Sequence, residues 1–199
     1  KQKIAINNFR GIDKDYFLSK VTKAYMAIIG DGKGGIFCED SLEKPTNWKS
    51  KTRENIKLES FKILLTNPPF GSKIPVKGED KLIQFELGHK WKYDKQEQIW
   101  NKGKVKEKES PQILFIDRCL QFLKDGGKMG IVLPDGIYGN DQLGYIRDFI
   151  LKKARILALI DVPIETFMPH TSTKTTIMLL QKLKEEKIPS DYPIFMAMA

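Results

Sequence analysis

Short apolar runs that alternate with amphipathic helical stretches constrain this chain more than any other feature. Phe61–Thr66, Lys128–Leu133 and Ile156–Val162 are β-rich runs of strand length. Between them, Ile113, Ile116, Leu120 and Leu123 recur at helical spacing, as do Leu143, Ile146 and Ile150 across 141–153. Strands that alternate with helices form a largely parallel sheet covered by those helices. The expected class is therefore α/β, doubly wound, with Thr175–Leu180 returning as an antiparallel hairpin with the strand before it. The 199 residues allow one substantial domain, and no internal repeat is present.

Local signals set the boundaries. Asp13 is placed to cap a helix whose apolar face is Phe17, Val21, Tyr25 and Ile28, with Gly30 as its stop. Gly30-Asp31-Gly32-Lys33-Gly34-Gly35 matches the letters of a dinucleotide loop. It leaves a helix and enters a strand, however, which is the reverse of a phosphate cradle. Gly35–Cys38 reads as a short buried strand, and 43–60 as loop with a short helix. Ser110-Pro111 has the form of a helix N-cap followed by proline at the first helical position. Residues 73–109 contain ten lysines and seven acidic residues without clean periodicity, and read as a charged, mobile insertion loop. Its Trp91, Tyr93 and Trp100, interleaved with lysines, are suited to lying on DNA. The stretch from Lys182 to Lys187 reads as solvated.

A net charge of +9 favours a polyanionic partner, nucleic acid first. Cys38 and Cys119 match no metal or redox spacing and read as buried free thiols of a cytoplasmic protein, with no metal site expected. No apolar run approaches the roughly 18 residues of a membrane helix.

The chemistry gathers at strand ends. Thr66-Asn67-Pro68-Pro69-Phe70-Gly71 follows a strand with an amide, two prolines and an aromatic ring. Proline presets φ and carries no N–H, so Pro68-Pro69 ends the strand in a stiff turn and leaves the Pro68 carbonyl available. In open α/β sheets, ligands bind at such carboxyl ends. Asp13 and Asp40 end earlier strands, where a carboxylate can accept from ribose hydroxyls or from an exocyclic amine. Taken singly, Asp13 also reads as a helix cap and Asp40 as a strand terminator.

In order, Gly11-Ile12-Asp13, Glu39-Asp40-Ser41-Leu42, Asn67-Pro68-Pro69-Phe70 and Gly126-Gly127-Lys128-Met129-Gly130-Ile131-Val132-Leu133-Pro134 resemble the S-adenosylmethionine-dependent N6-adenine DNA methyltransferases. The likeness is to modification subunits of type I restriction-modification systems and related N-6 DNA methylases. Ile160-Asp161-Val162-Pro163 through Thr171-Ser172-Thr173-Lys174-Thr175 is similar to that family's C-terminal strands, so the resemblance covers most of residues 9–182. It implies that Asp13 holds the ribose of S-adenosylmethionine and that Asp40, with the Ser41 backbone nearby, accepts from the donor's adenine. It also implies that Asn67 Oδ1 and the Pro68 carbonyl accept the target amino hydrogens, with Pro69 stiffening the turn. Phe70 would stack on an adenine rotated out of the duplex. Implied partners are double-stranded DNA, a DNA specificity subunit and a restriction subunit.

Two departures accompany the resemblance. The family's glycine-rich donor loop precedes the ribose acid, so residues 1–199 are expected to be part of a catalytic domain without that loop and without the first strand. Lys14 stands where the family places an apolar residue. Asn-Pro-Pro-aromatic motifs also serve methyltransferases of protein glutamine and of RNA bases. A non-catalytic DNA-binding or assembly module on the same fold is a further reading.

Overall fold

Proline and glycine placement, strand alternation and helix caps produce the elements in chain order, and the computed structural model describes residues 8–30, 34–71, 74–169 and 171–199. The middle of the glycine-rich stretch, 31–33, lies outside the described residues. Two compact units emerge, Lys1–Lys57 and Leu58–Ala199.

In the first unit, β1 (Gly11–Asp13) pairs in parallel with β2 (Ile36–Cys38), Asp13 standing opposite Cys38. Helix α1 (Tyr16–Ile28) follows β1. Its cap is Asp15, whose Oδ1 accepts from Leu18 N at 2.8 Å. The sequence pattern points to Asp13 instead. The reason for the shift is that β1 stays extended through Asp13, whose own Oδ1 accepts from Asp15 N at 2.8 Å. The apolar face expected to be buried is exposed, Phe17 by 70% and Ile28 by 82%. The buried position is Ser19, a side chain small enough to let the helix backbone approach β1 and β2. Gly30 ends the helix at φ 80°, a conformation glycine adopts without strain. A 3-10 turn (Pro45–Asn47) and α2 (Ser50–Asn55) complete this unit. Trp48 is buried there and donates through Nε1 to the Asp40 carbonyl at 2.9 Å.

The second unit is built on five strands. These are β3 (Phe61–Thr66), β8 (Leu123–Pro134), β9 (Ala154–Val162), β10 (Thr175–Lys182) and β11 (Phe195–Met198). Their spatial order is β11-β9-β10-β8-β3, and only β10 runs against the others. The antiparallel return expected at Thr175 is thus present, and its strand lies between β8 and β9. Helices α4 (Pro111–Phe122) and α6 (Gly144–Lys153), with the short α5 (Gly136–Gly139) between them, lay Ile113, Ile116, Leu120, Ile146 and Ile150 on Met129, Ile131, Leu133 and Met178 in one core cluster. The alternation Met129, Ile131, Leu133 is the period of two that a strand requires. Gly130, on the other face of β8, sits where a Cβ would come within 2.9 Å of Leu65. Ser110 occupies the cap position of α4 without capping it, because its hydroxyl turns to Glu109. Lys182, expected in solvent, is half-buried and donates to the Leu123 carbonyl at 2.7 Å.

Over 74–109 the insertion carries secondary structure of its own, where the sequence reads as a charged loop. β4 (Val76–Lys77) pairs antiparallel with β7 (Lys108–Glu109), closing a neck. Within it lie α3 (Glu79–Leu82) and a hairpin of β5 (His89–Asp94) with β6 (Ile99–Val105). Leu82, Phe85 and Leu87 are fully buried. They pack beside a polar staple on α4. Asp117 accepts from Leu87 N at 3.0 Å and from Gln121 Nε2 at 2.9 Å, and the Arg118 guanidinium lies 4.7 Å over the Phe85 ring. Charge had hidden the packing, since few apolar residues are needed when each one is buried completely.

Asp117 is 3% exposed, and burial pushes its carboxyl above the ordinary range, opposed by the hydrogen bonds from Leu87 and Gln121. A carboxyl whose folded value is raised binds protons more tightly when folded. Its stabilising contribution is full below the ordinary carboxylate range and is lost as pH rises through the folded value. Thermal melts across acid to neutral pH should therefore show a falling component in the wild type that Asp117→Asn removes. Identical slopes in the two proteins would contradict the burial argument. Cys119 is buried with its thiol pushed up to about 12 by desolvation, which makes it inert, and Cys38 is half-buried and free.

Candidate active site

β3 delivers Asn67 at its carboxyl end, as expected, and the chain then leaves the sheet because Pro68 and Pro69 cannot extend a ladder. Asn67 and Pro69 are exposed, Pro68 is buried and Phe70 half-buried. The turn closes at Gly71, whose φ of 100° favours glycine. Gly71 N donates to Gln112 Oε1 at 3.0 Å, tying the turn to the first residues of α4.

Asn67, Pro68, Pro69 and Phe70 share a cavity of about 310 Å³ with Thr166, Phe167, Met168 and Thr171. That is the lower end of the roughly 300–1,000 Å³ typical of small-ligand sites. The Phe70 and Phe167 rings stand edge to face, centroids 5.9 Å apart and planes at 87°. This arrangement is preferred by aromatic quadrupoles and holds both rings in place. The cavity thus has a carboxamide at its rim and two aromatic walls, which suits a flat conjugated ligand with a hydrogen-bond donor edge. Phe167 and Gln112 were not singled out from the sequence. Phe167 lies in a 3-10 turn (Ile164–Phe167) after β9, a hundred residues beyond Asn67, and only the sheet order brings the two together.

The other expected site residues are in the first unit. Asp13 and Asp40 stand at or just past the carboxyl ends of the adjacent parallel strands β1 and β2. Asp13 is exposed, its Oδ1 engaged by Asp15 N. Asp40 is half-buried, with Oδ1 accepting from Leu42 N at 2.9 Å, and Ser41 beside it is buried. Both carboxylates are thus held by local backbone N–H groups. Two acids at neighbouring strand ends fit a ligand that offers a diol and an amine. Lys14, next to Asp13, receives at its carbonyl the Cys38 thiol at 3.8 Å. Among the described residues, no cluster of three or more His, Cys, Asp or Glu could hold a metal ion. None of the described helices is long and apolar enough to cross a membrane.

A mostly parallel sheet with its polar residues at carboxyl ends is the Rossmann-like architecture of the S-adenosylmethionine-dependent methyltransferases, and solved structures share it. A Listeria monocytogenes protein assigned to class I of those enzymes superposes with TM-score 0.69 at 18% identity, over 96% of this chain and 49% of that one. The type I restriction-modification methyltransferase subunit from Streptococcus thermophilus gives TM-score 0.61 at 21% identity, over 96% of this chain and 36% of that one. The family model for N-6 DNA Methylase matches residues 1–197, and the chain belongs to that family. The type I restriction enzyme EcoEI methylase subunit of Escherichia coli is 25% identical over 146 residues, which is 72% of this chain and 24% of that subunit. The chain therefore spans about a quarter of that relative and half or less of the two solved structures.

Proposed function

We propose that the Asn67–Phe70 cavity receives an adenine rotated out of duplex DNA, and that the intact protein methylates its N6 with S-adenosylmethionine. The observation that carries this reading is the Asn-Pro-Pro-Phe turn at the end of β3, closed by Phe167, in a chain of the N-6 DNA methylase family.

The lone pair of an adenine N6 is delocalised into the ring, so the amine is a poor nucleophile. Asn67 Oδ1 and the Pro68 carbonyl accept its two hydrogens. The proline-stiffened turn presets the Pro68 carbonyl and the backbone that carries Asn67, and together the two acceptors draw the nitrogen toward tetrahedral geometry and release its lone pair. As the new N–C bond forms, the methyl's bond to the donor sulfur would break with its electron pair staying on sulfur, and the same acceptors would stabilise the positive charge growing on N6 until its proton passes to solvent. Phe70 stacks on the base, and Phe167 supports Phe70 edge-on. Asp13 holds the donor's ribose, and Asp40 with Ser41 its adenine. When bound, the donor supplies an electrophilic methyl on a cationic sulfur. The likeness to the EcoEI methylase subunit supports operation beside a DNA specificity subunit and a restriction subunit.

The test is a transfer assay on the full-length protein with labelled S-adenosylmethionine and adenine-containing duplex DNA. Label at adenine N6 is the expected result. Label confined to protein or RNA would overturn the reading in favour of a related conjugated-nitrogen methyltransferase, and no transfer at all would favour an assembly role.

A further inference from the structure

We propose that the β5–β6 hairpin is a DNA-backbone contact of this protein, its exposed lysines neutralising phosphates beside the base held at Asn67. The proposal rests on the DNA reading of the preceding section. It starts from the alternation His89-Lys90-Trp91-Lys92-Tyr93, which separates two faces of β5. Trp91 and Tyr93, with Trp100 across from Tyr93, share one face, and Lys90 and Lys92 point to the other.

The aromatic face is an anchor. Trp91 stacks on Tyr145 at 6.3 Å, Trp100 meets the same ring at 5.9 Å, and Tyr93 lies 5.1 Å from Trp100. Trp100 also packs on Gly144 so closely that a Cβ there would come within 2.8 Å of its ring. Lys106 adds a bond from Nζ to the Tyr145 hydroxyl at 3.1 Å. Gly144 and Tyr145 open α6, the helix that follows the carboxyl end of β8. The hairpin is therefore fastened at the edge of the sheet from which Asn67 projects. Its root agrees with this. The insertion leaves the chain after Gly71 and returns at the β4–β7 neck just before α4, where Gln112 bonds Gly71.

The hairpin is also cationic. Lys90, Lys92, Lys95, Lys102 and Lys104 are all exposed, and none is in an ion pair among the described residues. Lys90 and Lys92 lie on the face away from the aromatic rings, whereas Lys102 stands opposite Trp91 and flanks the aromatic face. The only acids between His89 and Val105 are Asp94 and Glu97. Asp94 Oδ1 is turned inward, accepting from Gln96 N and Glu97 N to shape the hairpin turn. By contrast Lys106, at the root, is partnered by Glu109 and serves the fold. A six-residue strand spans about 20 Å, the rise of roughly six base pairs, and lysines two apart are separated by about two base-pair rises. A two-stranded ribbon of this kind is narrow enough to follow a DNA groove. The contact is to phosphates and carries no sequence information.

The test compares wild-type full-length protein with a variant carrying Lys90→Gln, Lys92→Gln, Lys95→Gln and Lys104→Gln. DNA affinity is measured by fluorescence anisotropy over a range of salt, and methyl transfer at varied DNA concentration. Four lost phosphate contacts should reduce the magnitude of the slope of log K against log salt by about 3.6 and weaken affinity about tenfold or more near 0.15 M salt. The effect should be the same on unrelated DNA sequences and should fall on KM for DNA rather than on kcat. Arginine at the four positions should restore the slope, which a loss of folding would not allow. If the wild type methylates DNA and the glutamine variant keeps the full slope, the hairpin assignment alone fails. A wild type that neither binds nor methylates DNA overturns the functional reading and this proposal together.

Discussion

Asn67→Ala in the full-length protein is expected to lower kcat for adenine methylation by at least about 10²–10³-fold, the usual effect of deleting a preorganised transition-state hydrogen-bond partner. DNA affinity should change much less, because phosphate contacts dominate it and Asn67 makes none. The side chain stands at the rim of the cavity, where the reacting nitrogen would lie. Alanine leaves the Pro68 carbonyl as the sole acceptor, and one hydrogen bond cannot hold the amine in tetrahedral geometry. Asn67→Asp should be impaired as well, although it keeps an acceptor. A full negative charge beside the donor stabilises the cationic ground state, whereas positive charge is being dispersed at the transition state. Wild-type turnover by Asn67→Ala would remove this residue from the reaction.

The second large effect concerns stability. Phe85→Ala should destabilise the Leu58–Ala199 unit by about 3–5 kcal/mol, the range for truncating a buried aromatic residue. For a unit of this size that corresponds to a fall in melting temperature of roughly 6–20 °C. Phe85 has no exposed surface, and the Arg118 guanidinium rests on its ring. Truncation opens a cavity and also leaves that cation over empty space. If 74–109 were a solvated loop, the same change would move stability by about 0.5 kcal/mol or less. A melt of the variant against wild type decides between the two.

Much of the sheet was legible because its signals are local. Phe61–Thr66 is both the expected and the observed strand, and Ser110-Pro111 marks the start of α4. Elements that depend on distant partners were less readable. The insertion's strands pair with one another and dock through Phe85, Leu87 and two tryptophans, so its buried residues are too sparse to give a periodic signal. The helical spacing of Phe17, Val21, Tyr25 and Ile28 is real, yet periodicity reports an apolar face and not which face meets the strands. At the candidate site, Asn67, Pro68, Pro69 and Phe70 were readable from chemistry alone. Phe167 was not, since edge-to-face contact with Phe70 depends on where the turn after β9 falls in space. Asp15 displaced Asp13 as the helix cap because strand pairing extended two residues further than the cap pattern indicated.

The placement of β10 has a consequence for biosynthesis. β8 and β9 are made before it but are not neighbours in the finished sheet, since β10 separates them. While the ribosome is still translating the segment before Thr175, the nascent chain has a strand-wide slot with two unpaired edges facing it. Open edges of that kind are templates for intermolecular pairing. The interval between emergence of Val162 and of Lys182 from the ribosome is thus the vulnerable period, and insertion of one strand closes both edges at once.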